Sequence, residues 1–535
     1  MYIAPNTDIK ILKNVPLDVT YEHTIYFTSL SQQTEYFSSK CKHPFSNQSY
    51  QRVKNNRMRI NKKAEDLYDC NYLMFKNTSF GNKWFYAFIK SVEYVNNEVS
   101  EIEFEIDVLQ TWFFDYTLKE CFVVREHTRT DEIGDNIVAE NVSLGEYIYS
   151  DYKPLTTLTT DMCVCVAIVD NDKESVSGQL YDGVYGGCEL WVYNSNDVNA
   201  INDKIGEYIQ AIDSIVSVYM IPKMLVGEVD SGGKKLSYAQ GGVSNTISCD
   251  AIDGTETFDG YKPKNMKMYT YPYNYFNLDN ASGSSLSLRY EFFDNLKPVI
   301  KINGGVTQPI SLIARPCSYK NVPSYNAIGG YTQLTTESIT LENYPTCSWN
   351  ADYYKAWLAQ NSAPLIFGGL ANLATIGAGA MMTSVPILGS VIGGTTMAKG
   401  VSGITNQLKS LYAPSISADI CRGNTANGNT NVATGMQHFY CARVHVTKEY
   451  AMIIDDYFTK YGYAINRLKV PSRTNRGHWN YVKTNDCVIV GSVPSDDMRK
   501  ICGIYDNGIT FWKNGNEIGD YSLDNSALDD TPDLH

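Results

Sequence analysis

The chain has 535 residues, more than one hydrophobic core usually holds, and this length predicts two to four domains. With 43% hydrophobic and 19% charged residues, the composition excludes a disordered chain and an ordinary multi-span membrane protein. The formal charge of −13 disfavours a protein that grips nucleic acid, because phosphate binding needs cations that release counterions.

The N-terminus and the cysteines indicate where the chain is made. Residues Met1–Asn6 carry no basic region and no apolar stretch, so we predict no signal peptide. The 13 cysteines are scattered singly apart from Cys163 and Cys165, which predicts free, mostly buried thiols of a chain made in reducing cytoplasm. A disulfide framework is the less favoured alternative.

The first third of the chain has the pattern of a β-sheet, in keeping with 40 tyrosines against 19 phenylalanines. One strand is predicted at Phe85–Ile89 and a second from Val99, with a turn at Asn96 and Asn97. In the second strand apolar and acidic residues alternate: Ile102, Phe104, Ile106 and Val108 with Glu103, Glu105 and Asp107. The three carboxylates indicate a solvated sheet face or, alternatively, the lining of a channel.

In the middle of the chain the pattern changes, and we expect residues 151–330 to form a separate domain. The apolar run 163–169 predicts a buried strand. Apolar residues at spacings of three and four predict an amphipathic helix from Asp197 to Val216, ended by Pro222. The stretch that follows is rich in Gly, Ser, Asn and Tyr, which favours loops and short strands.

One segment differs from the rest because no charged residue occurs between Lys355 and Lys399. Its first apolar run, Pro364–Thr383, would be roughly 30 Å long as a helix, which is the thickness of a bilayer core. A second apolar run, Val385–Gly394, follows it. The break near Pro386 predicts a hairpin.

This hydrophobic segment fits neither a buried core helix nor a permanent membrane anchor. Its seven glycines cost roughly 1 kcal/mol each in a helix relative to alanine. Its apolar side chains favour insertion by only about 2–4 kcal/mol, and Asn372 and the glycines reduce that gain. We therefore predict conditional insertion, as in viral fusion peptides, by several copies stored inside an assembly until needed. The predicted inserting residues are Leu365, Ile366, Phe367, Leu370, Leu373, Ile376, Val385, Ile387, Leu388, Val391 and Ile392.

The C-terminal part of the chain mixes helices and strands. Thr447 can cap a helix that runs to about Tyr461 and stops at Gly462. Further predicted elements are strands at 479–482 and 487–490, a short helix opened by Asp496 and Asp497, and a final strand at 509–512.

No motif of the sequence indicates catalysis or metal binding. It contains no Walker loop, no H-E-x-x-H and no G-x-S-x-G. His438 and His445 are too far apart for a zinc-binding helix pair. Asp170 and Asp172 are followed by Ser175 where a calcium loop needs glycine. We therefore predict no enzyme activity, no metal and no cofactor.

Seven short segments form an ordered set that flanks most of the chain: Asn14–Asp18, Tyr26–Phe27, Glu103–Trp112, Val124–His127, Asp455–Tyr463, Arg476–Thr484 and Gly508–Trp512. In sequence and order they resemble the tail knob, or distal tail-tube, proteins of small phi29-like podophages. These are the protein-primed picovirus group that infects Gram-positive bacteria. Residues 151–330 have no counterpart in this resemblance.

The resemblance implies a mainly β (α+β) fold: a tube-forming, β-barrel-like domain with an inserted knob domain and a long hydrophobic loop hairpin. The implied division is 1–150 tube, 151–330 inserted knob, 331–357 tube continuation, 358–404 hydrophobic membrane-active loop, 405–495 tube, and 496–535 C-terminal helix, strand and tail. It also implies a homohexamer in the virion tail, made in the host cytoplasm.

The implied function is structural. The hydrophobic loops would plug the distal end of the tube and later form a pore in the host membrane for genome ejection. The implied partners are other tail proteins (upper tube or collar, and tail tip), the host cell membrane, and genomic DNA that passes through the lumen without specific binding.

In such a tube Glu103, Glu105 and Asp107 are predicted to face the lumen or water. The lumen is the favoured side, because carboxylates there would repel DNA over about 8–10 Å at moderate salt. The alternative functions are a receptor-binding or cell-wall-binding adhesin, a glycan hydrolase and a free pore-forming toxin. An adhesin would not need the apolar segment, and a secreted toxin should carry an export route.

Overall fold

The computed structural model of the chain describes residues 6–48, 56–155, 162–169, 180–181, 184–185, 188–207, 215–236, 243–306, 310–320, 337–342, 344, 346–349, 421–424 and 438–528. The chain forms two compact units. Unit 1 comprises Met1–Leu144, Thr257–Met268 and Lys448–His535. Unit 2 comprises Gly145–Glu256 and Tyr269–Thr447.

Strands dominate the described residues. Those of the first part of the chain are β1 (Thr7–Lys13), β2 (His23–Ile25), β3 (Cys41–Gln48), β4 (Arg57–Ile60), β5 (Cys70–Lys76), β6 (Phe85–Asn96), β7 (Val99–Ile106), β8 (Tyr116–Leu118), β9 (Cys121–Glu126) and β10 (Tyr147–Pro154). The middle part contributes β11 (Met162–Val169), β12 (Leu180–Tyr181), β13 (Val184–Tyr185), β14 (Cys188–Asn194), β15 (Ile215–Pro222), β16 (Lys234–Lys235), β17 (Val243–Ser248), β18 (Asn274–Asp279), β19 (Ser285–Leu288), β20 (Val299–Gly304), β21 (Leu312–Pro316), β22 (Ile339–Leu341) and β23 (Thr346–Trp349). The last strands are β24 (Cys421–Asn424), β25 (Tyr440–Val446), β26 (Tyr463–Lys469), β27 (Trp479–Asn485), β28 (Ile489–Gly491) and β29 (Ile509–Trp512).

The α-helices of the described residues are α1 (Leu30–Ser39), α2 (Val108–Thr111), α3 (Val198–Gly206), α4 (Lys448–Tyr461) and α5 (Ser495–Asn507). The predicted C-terminal helices are confirmed as α4 and α5. Gly462 ends α4 at φ +63°, where a Cβ would collide with the backbone of Glu126. The helix predicted at 197–216 is shorter than expected, because Ile215 already belongs to β15.

Unit 1 contains a six-stranded antiparallel sheet in the order β3-β1-β5-β6-β7-β4. One face packs on α1, α2 and α5 through a core that includes Phe37, Tyr72 and Leu109. The opposite face carries a second core, which includes Ile11 and Leu73. Almost all residues of this core belong to the strands themselves. The sheet therefore curls around its own apolar side chains, which accounts for a half-barrel rather than a flat layer.

A second sheet joins the two ends of the chain within unit 1. Its order is β2-β29-β27-β9-β26, so the two strands from the first 126 residues are each paired with strands from the last 73. The pair β2–β29 is parallel, with Thr24 opposite Phe511, and the other pairs are antiparallel. A small ladder of β8 and β28 accompanies this sheet.

Unit 2 is built from further antiparallel sheets. Their orders are β10-β25-β18-β19, β16-β14-β11-β15-β23-β24, β17-β20-β21-β22 and β12-β13. The pairing differs from the expected domain division, because strands β22 to β25 were assigned to the tube domain. In the structure β22 pairs with β21, β23 with β15 and β24, and β25 with β10 and β18. The expected mainly β fold class is confirmed.

Candidate functional site: the strand pair below the hydrophobic segment and the polar core of unit 1

All eleven residues predicted to insert into a membrane lie outside the described residues: Leu365, Ile366, Phe367, Leu370, Leu373, Ile376, Val385, Ile387, Leu388, Val391 and Ile392. The structure does describe the strands that precede and follow this segment. β23 and β24 pair antiparallel, with Thr346 opposite Asn424 and Trp349 opposite Cys421. The chain therefore enters and leaves residues 350–420 at neighbouring backbone positions, about 5 Å apart.

The sheet of unit 2 holds this strand pair on one side. β23 is held on its other side by β15, with Ser217 opposite Ser348, whereas β24 is the last strand of its sheet. Within the part of the chain that the structure describes, no helix is both long enough and apolar enough to cross a bilayer.

The acidic row predicted for a channel lies on β7. Ile102 and Phe104 point into the core of the curled sheet, as their alternation predicts, and Glu101, Glu103 and Glu105 occupy the other face. These carboxylates are not alone on that face. The cations beside them belong to β4 and β6: Arg57 to Glu103 (2.7 Å) and Glu101 (3.1 Å), Arg59 to Glu101 (2.8 Å), and Lys90 to Glu105 (2.7 Å).

The ion pairs change the electrostatics of this face. Hydrogen bonds from Arg59 and Arg57 lower the pKa of Glu101 below its usual range. Since the side chains are partly exposed, each pair contributes little to stability. The face is thus a ladder of compensated charges rather than the row of free carboxylates that the sequence alone suggests.

Asp107 does not belong to this face, which corrects the prediction that groups it with Glu103 and Glu105. β7 ends at Ile106, so the period-two pattern stops there, and the Asp107 side chain turns inward to cap α2. Its carboxylate accepts from the Gln110 backbone N–H (3.0 Å) and from the Tyr72 hydroxyl (2.8 Å). Burial raises its pKa to about 6. A group this deep in unit 1 is a structural cap.

A buried carboxylate, Asp455 on α4, organises the polar core of unit 1. It accepts four hydrogen bonds from the short stretch 257–268 of the same unit: the Tyr261 hydroxyl (2.7 Å), the Lys264 N–H (2.8 Å), and the backbone (3.1 Å) and side-chain (2.8 Å) N–H groups of Asn265. The Asn265 amide also donates to the Thr459 hydroxyl (2.8 Å). With its lone pairs occupied, Asp455 fixes this stretch against α4.

A second carboxylate, Glu140, links residues 257–268 to the sheet that contains β9 and β26. It is buried between the Lys267 ammonium, 2.6 Å away, and the Arg125 guanidinium, and it accepts from the Ala464 N–H (2.8 Å). Burial lowers the pKa of Lys267, although the Glu140 carboxylate opposes that shift. Removing one partner would leave an uncompensated buried charge, which costs more than the pair itself contributes.

His127 completes the polar core as a neutral ring. Its Nδ1 accepts from the Tyr481 N–H (2.8 Å), so Nε2 carries the proton and donates to the Thr459 carbonyl (3.1 Å). Burial, together with the nearby Arg476 guanidinium, lowers its pKa to about 3. The ring is therefore a fixed connector of β9, α4 and β27.

These polar groups were missed in the sequence analysis, and only one of them carried a signal. Asp455 falls among Ala451, Ile454 and Phe458 on the apolar face of α4, where a carboxylate is out of place. Asn265 lies in a stretch expected to form loops. Among the described residues, no group of three or more His, Cys, Asp or Glu side chains is arranged to hold a metal ion. The arrangement is that of a scaffold.

Comparison with known proteins agrees with this scaffold. The family described as Bacillus phage phi29, Tail knob protein gp9, C-terminal domain matches residues 237–526, and the caudoviral major tail protein N-terminus matches residues 5–117. The tail knob protein gp9 of Bacillus phage B103 is 29% identical, and that of Bacillus phage phi29 is 28% identical. Each alignment covers 97% of this chain and 98% of the relative.

A solved structure shares the fold. The tail knob protein gp12 of bacteriophage C1 superimposes with a TM-score of 0.60 at 14% identity, over 98% of this chain and 100% of that one. Because the gp9 family alone spans more than half of the sequence, and its relatives align from end to end, the chain belongs to the tail knob proteins of phi29-like phages and is a structural component of the virion tail.

Proposed function

We propose that this tail knob protein forms the distal end of the tail tube, closes it with the hydrophobic segment 358–404, and releases that segment into the host membrane as a pore for genome ejection. The observation that carries the proposal is the pairing of β23 with β24. A segment whose two ends leave from adjacent backbone positions can change its surroundings without altering the sheet that holds it.

The chemistry of the segment supports its release into a membrane. It has no charged residue between Lys355 and Lys399, so water is an unfavourable surrounding. One copy gains only about 2–4 kcal/mol on insertion, which keeps it from being trapped in the first membrane it meets. When several copies reach a bilayer at the same time, their insertion free energies add. Insertion of the assembly is then strongly favoured, although insertion of one copy is not.

Assembly into a homohexamer supplies the copies, and exposed apolar residues of unit 1 supply a surface for it. Leu468 and Phe122 are direct partners on β26 and β9, with 66% and 37% of their surfaces exposed. Among the described residues β26 is the last strand of its sheet, and beyond Ala464, whose N–H donates to Glu140, its outer edge would pair with a second copy. Other tail proteins would hold this ring at its opposite end.

Glu103 and Glu105 are proposed to face the lumen of the ring. Their cationic neighbours Arg57 and Lys90 leave this face without an excess of positive charge, so passing DNA would find no site that retains it. A side-chain-resolved reconstruction of the assembled ring tests this: the two carboxylates should border the bore, and their placement on the outer wall would contradict the assignment.

Leakage of a dye from liposomes tests the pore. The full chain is compared with a variant in which residues 358–398 are replaced by a short Gly/Ser linker. A second variant, Leu370→Asp, keeps the length of the segment but adds a charge that costs about 3 kcal/mol in a bilayer. We expect leakage from the full chain and a large loss in both variants. Equal leakage from all three would refute the proposal.

A further inference from the structure

Two cysteines of unit 2 lie side by side through the strands that carry them. Cys441 is the second residue of β25 and pairs with Lys153 of β10. The Lys153 ammonium bonds to the carboxylate of Asp250 (2.9 Å), the residue that follows Cys249. Cys249 itself is held by a hydrogen bond from its N–H to the Pro298 carbonyl (2.8 Å). Its thiol is in hydrogen-bonding contact with the thiol of Cys441.

This pair differs from the other clustered thiols in the charge beside it, the Lys153 ammonium. Cys249 is partly exposed, so a small reagent can reach it, whereas Cys441 is buried. The hydrogen bond from Cys249, helped by the Lys153 ammonium, lowers the pKa of Cys441, and the same hydrogen bond raises the pKa of Cys249.

The thiols of Cys121, Cys487 and Cys502 in unit 1 also contact one another. Burial, followed by nearby groups that include the Asp506 carboxylate, raises the pKa of each. The unit 2 pair has the Lys153 ammonium beside it, on the strand that pairs with Cys441, and a neighbouring cation favours a thiolate. We therefore take the unit 2 pair as the reactive one.

We propose that Cys249 and Cys441 are a redox modification site, reduced when the chain is made and joined in a disulfide bond once the virion is outside the cell. A virion component is synthesised in reducing cytoplasm and then persists in an oxidising medium, which is the condition under which disulfides form. The inference rests on the virion location and not on the pore.

The reaction is thiol–disulfide exchange with a low-molecular-weight disulfide. The pair loses its first proton from Cys441, and the proton of Cys249 then passes along the hydrogen bond to Cys441 Sγ. Cys249 Sγ attacks one sulfur of the reagent, and the first small thiolate leaves with the released proton. Cys441 Sγ, once deprotonated, attacks Cys249 Sγ in the mixed disulfide and displaces the second small thiolate. Two protein thiols are oxidised, one disulfide is reduced, and the two protons pass to the leaving thiolates.

The bond would strengthen the virion form of unit 2. It closes a loop of about 190 residues, and a loop of this length restricts the unfolded chain strongly. It also ties β25, the strand on which the chain returns after residues 425–437, to the end of β17. We therefore expect oxidation to raise the thermal unfolding midpoint.

Peptide mapping of the full-length protein tests the proposal. After incubation with oxidised glutathione and alkylation, mass spectrometry without reduction should find the Cys249 and Cys441 peptides linked in most chains. The link should be absent from Cys249→Ser and Cys441→Ser and present in Cys317→Ser, which removes a buried thiol of the same unit. The increase in unfolding midpoint should follow the link.

The same peptide mapping experiment can also contradict the proposal. Free, alkylated Cys249 and Cys441 after oxidation would overturn the proposal. So would a stable glutathione adduct on Cys249, or a link from either cysteine to a different partner.

Discussion

Trp349 and Cys421 are direct partners in the antiparallel pair of β23 and β24, although residues 350–420 lie between them. Sheet pairing therefore fixes the two ends of the hydrophobic segment at one place.

Replacing residues 358–398 with a short Gly/Ser linker should leave folding intact. Shortening the excursion by roughly half lowers the entropy cost of loop closure by about 0.6 kcal/mol. This corresponds to a midpoint shift of only about 1–2 °C. Differential scanning calorimetry checks the midpoint. As a contrast, Ser348→Pro in β23 should cost about 3 kcal/mol or more, because that strand is paired on both sides. A linker variant that unfolds as readily as Ser348→Pro would show that the segment belongs to the core.

Leu468→Asp should weaken the assembly without unfolding the subunit. Leu468 is 66% exposed, so the change costs the free subunit little, but a charge in a subunit interface would be left unpaired. Light scattering coupled to size exclusion should show smaller particles. Leu30→Asp is the matched control, since Leu30 is 60% exposed and an acidic residue is favourable at the start of α1. Equal assembly of both variants would remove β26 from the interface.

His127 should make unit 1 sensitive to acid. Its pKa is about 3 in the folded chain against 6.5 when unfolded, so the unfolded state binds the extra proton. The contribution of the neutral His127 ring to the free energy of unfolding is fully present above pH 6.5. It falls by about 1.4 kcal/mol for each pH unit below 6.5, until about pH 3. His127→Gln should be less stable than the natural chain at pH 7.5, and this gap should narrow on acidification. A gap that stays constant between pH 7.5 and 4.5 would contradict the burial argument.

Asp107 should make the folded chain less stable as the pH rises, which is the opposite of the effect of His127. Its pKa is raised to about 6 in the folded chain from 3.8, so the folded state holds its proton more tightly. The buried charge destabilises the chain as the pH rises from about 4 to 6, by up to about 3 kcal/mol. Asp107→Asn keeps a capping side chain for α2 and should raise the unfolding midpoint at pH 7.5, with the advantage vanishing near pH 4. An unfolding midpoint of Asp107→Asn that is unchanged or lower at pH 7.5 would contradict the burial argument.

The local pattern of the sequence predicts elements well and distant contacts poorly. Alternation at Ile102, Phe104 and Ile106 predicts β7, and Thr447 and Gly462 predict the two ends of α4. Each of these signals depends on residues that are close to the predicted feature in the chain. Asp107 was assigned to the wrong face because alternation does not show where a strand ends. The pairing of β23 with β24 has no local signal, since its partners are separated by an entire segment and meet only in the folded sheet.

The most direct test of the account is to find which residues a membrane protects. The full-length protein is incubated with liposomes and digested with proteinase K, and the peptides that remain with the washed vesicles are sequenced by mass spectrometry. The account predicts that the protected peptides come from residues 358–398 and include Phe367 and Leu370. Vesicles that retain no peptide, or only peptides from units 1 and 2 outside this range, would contradict it.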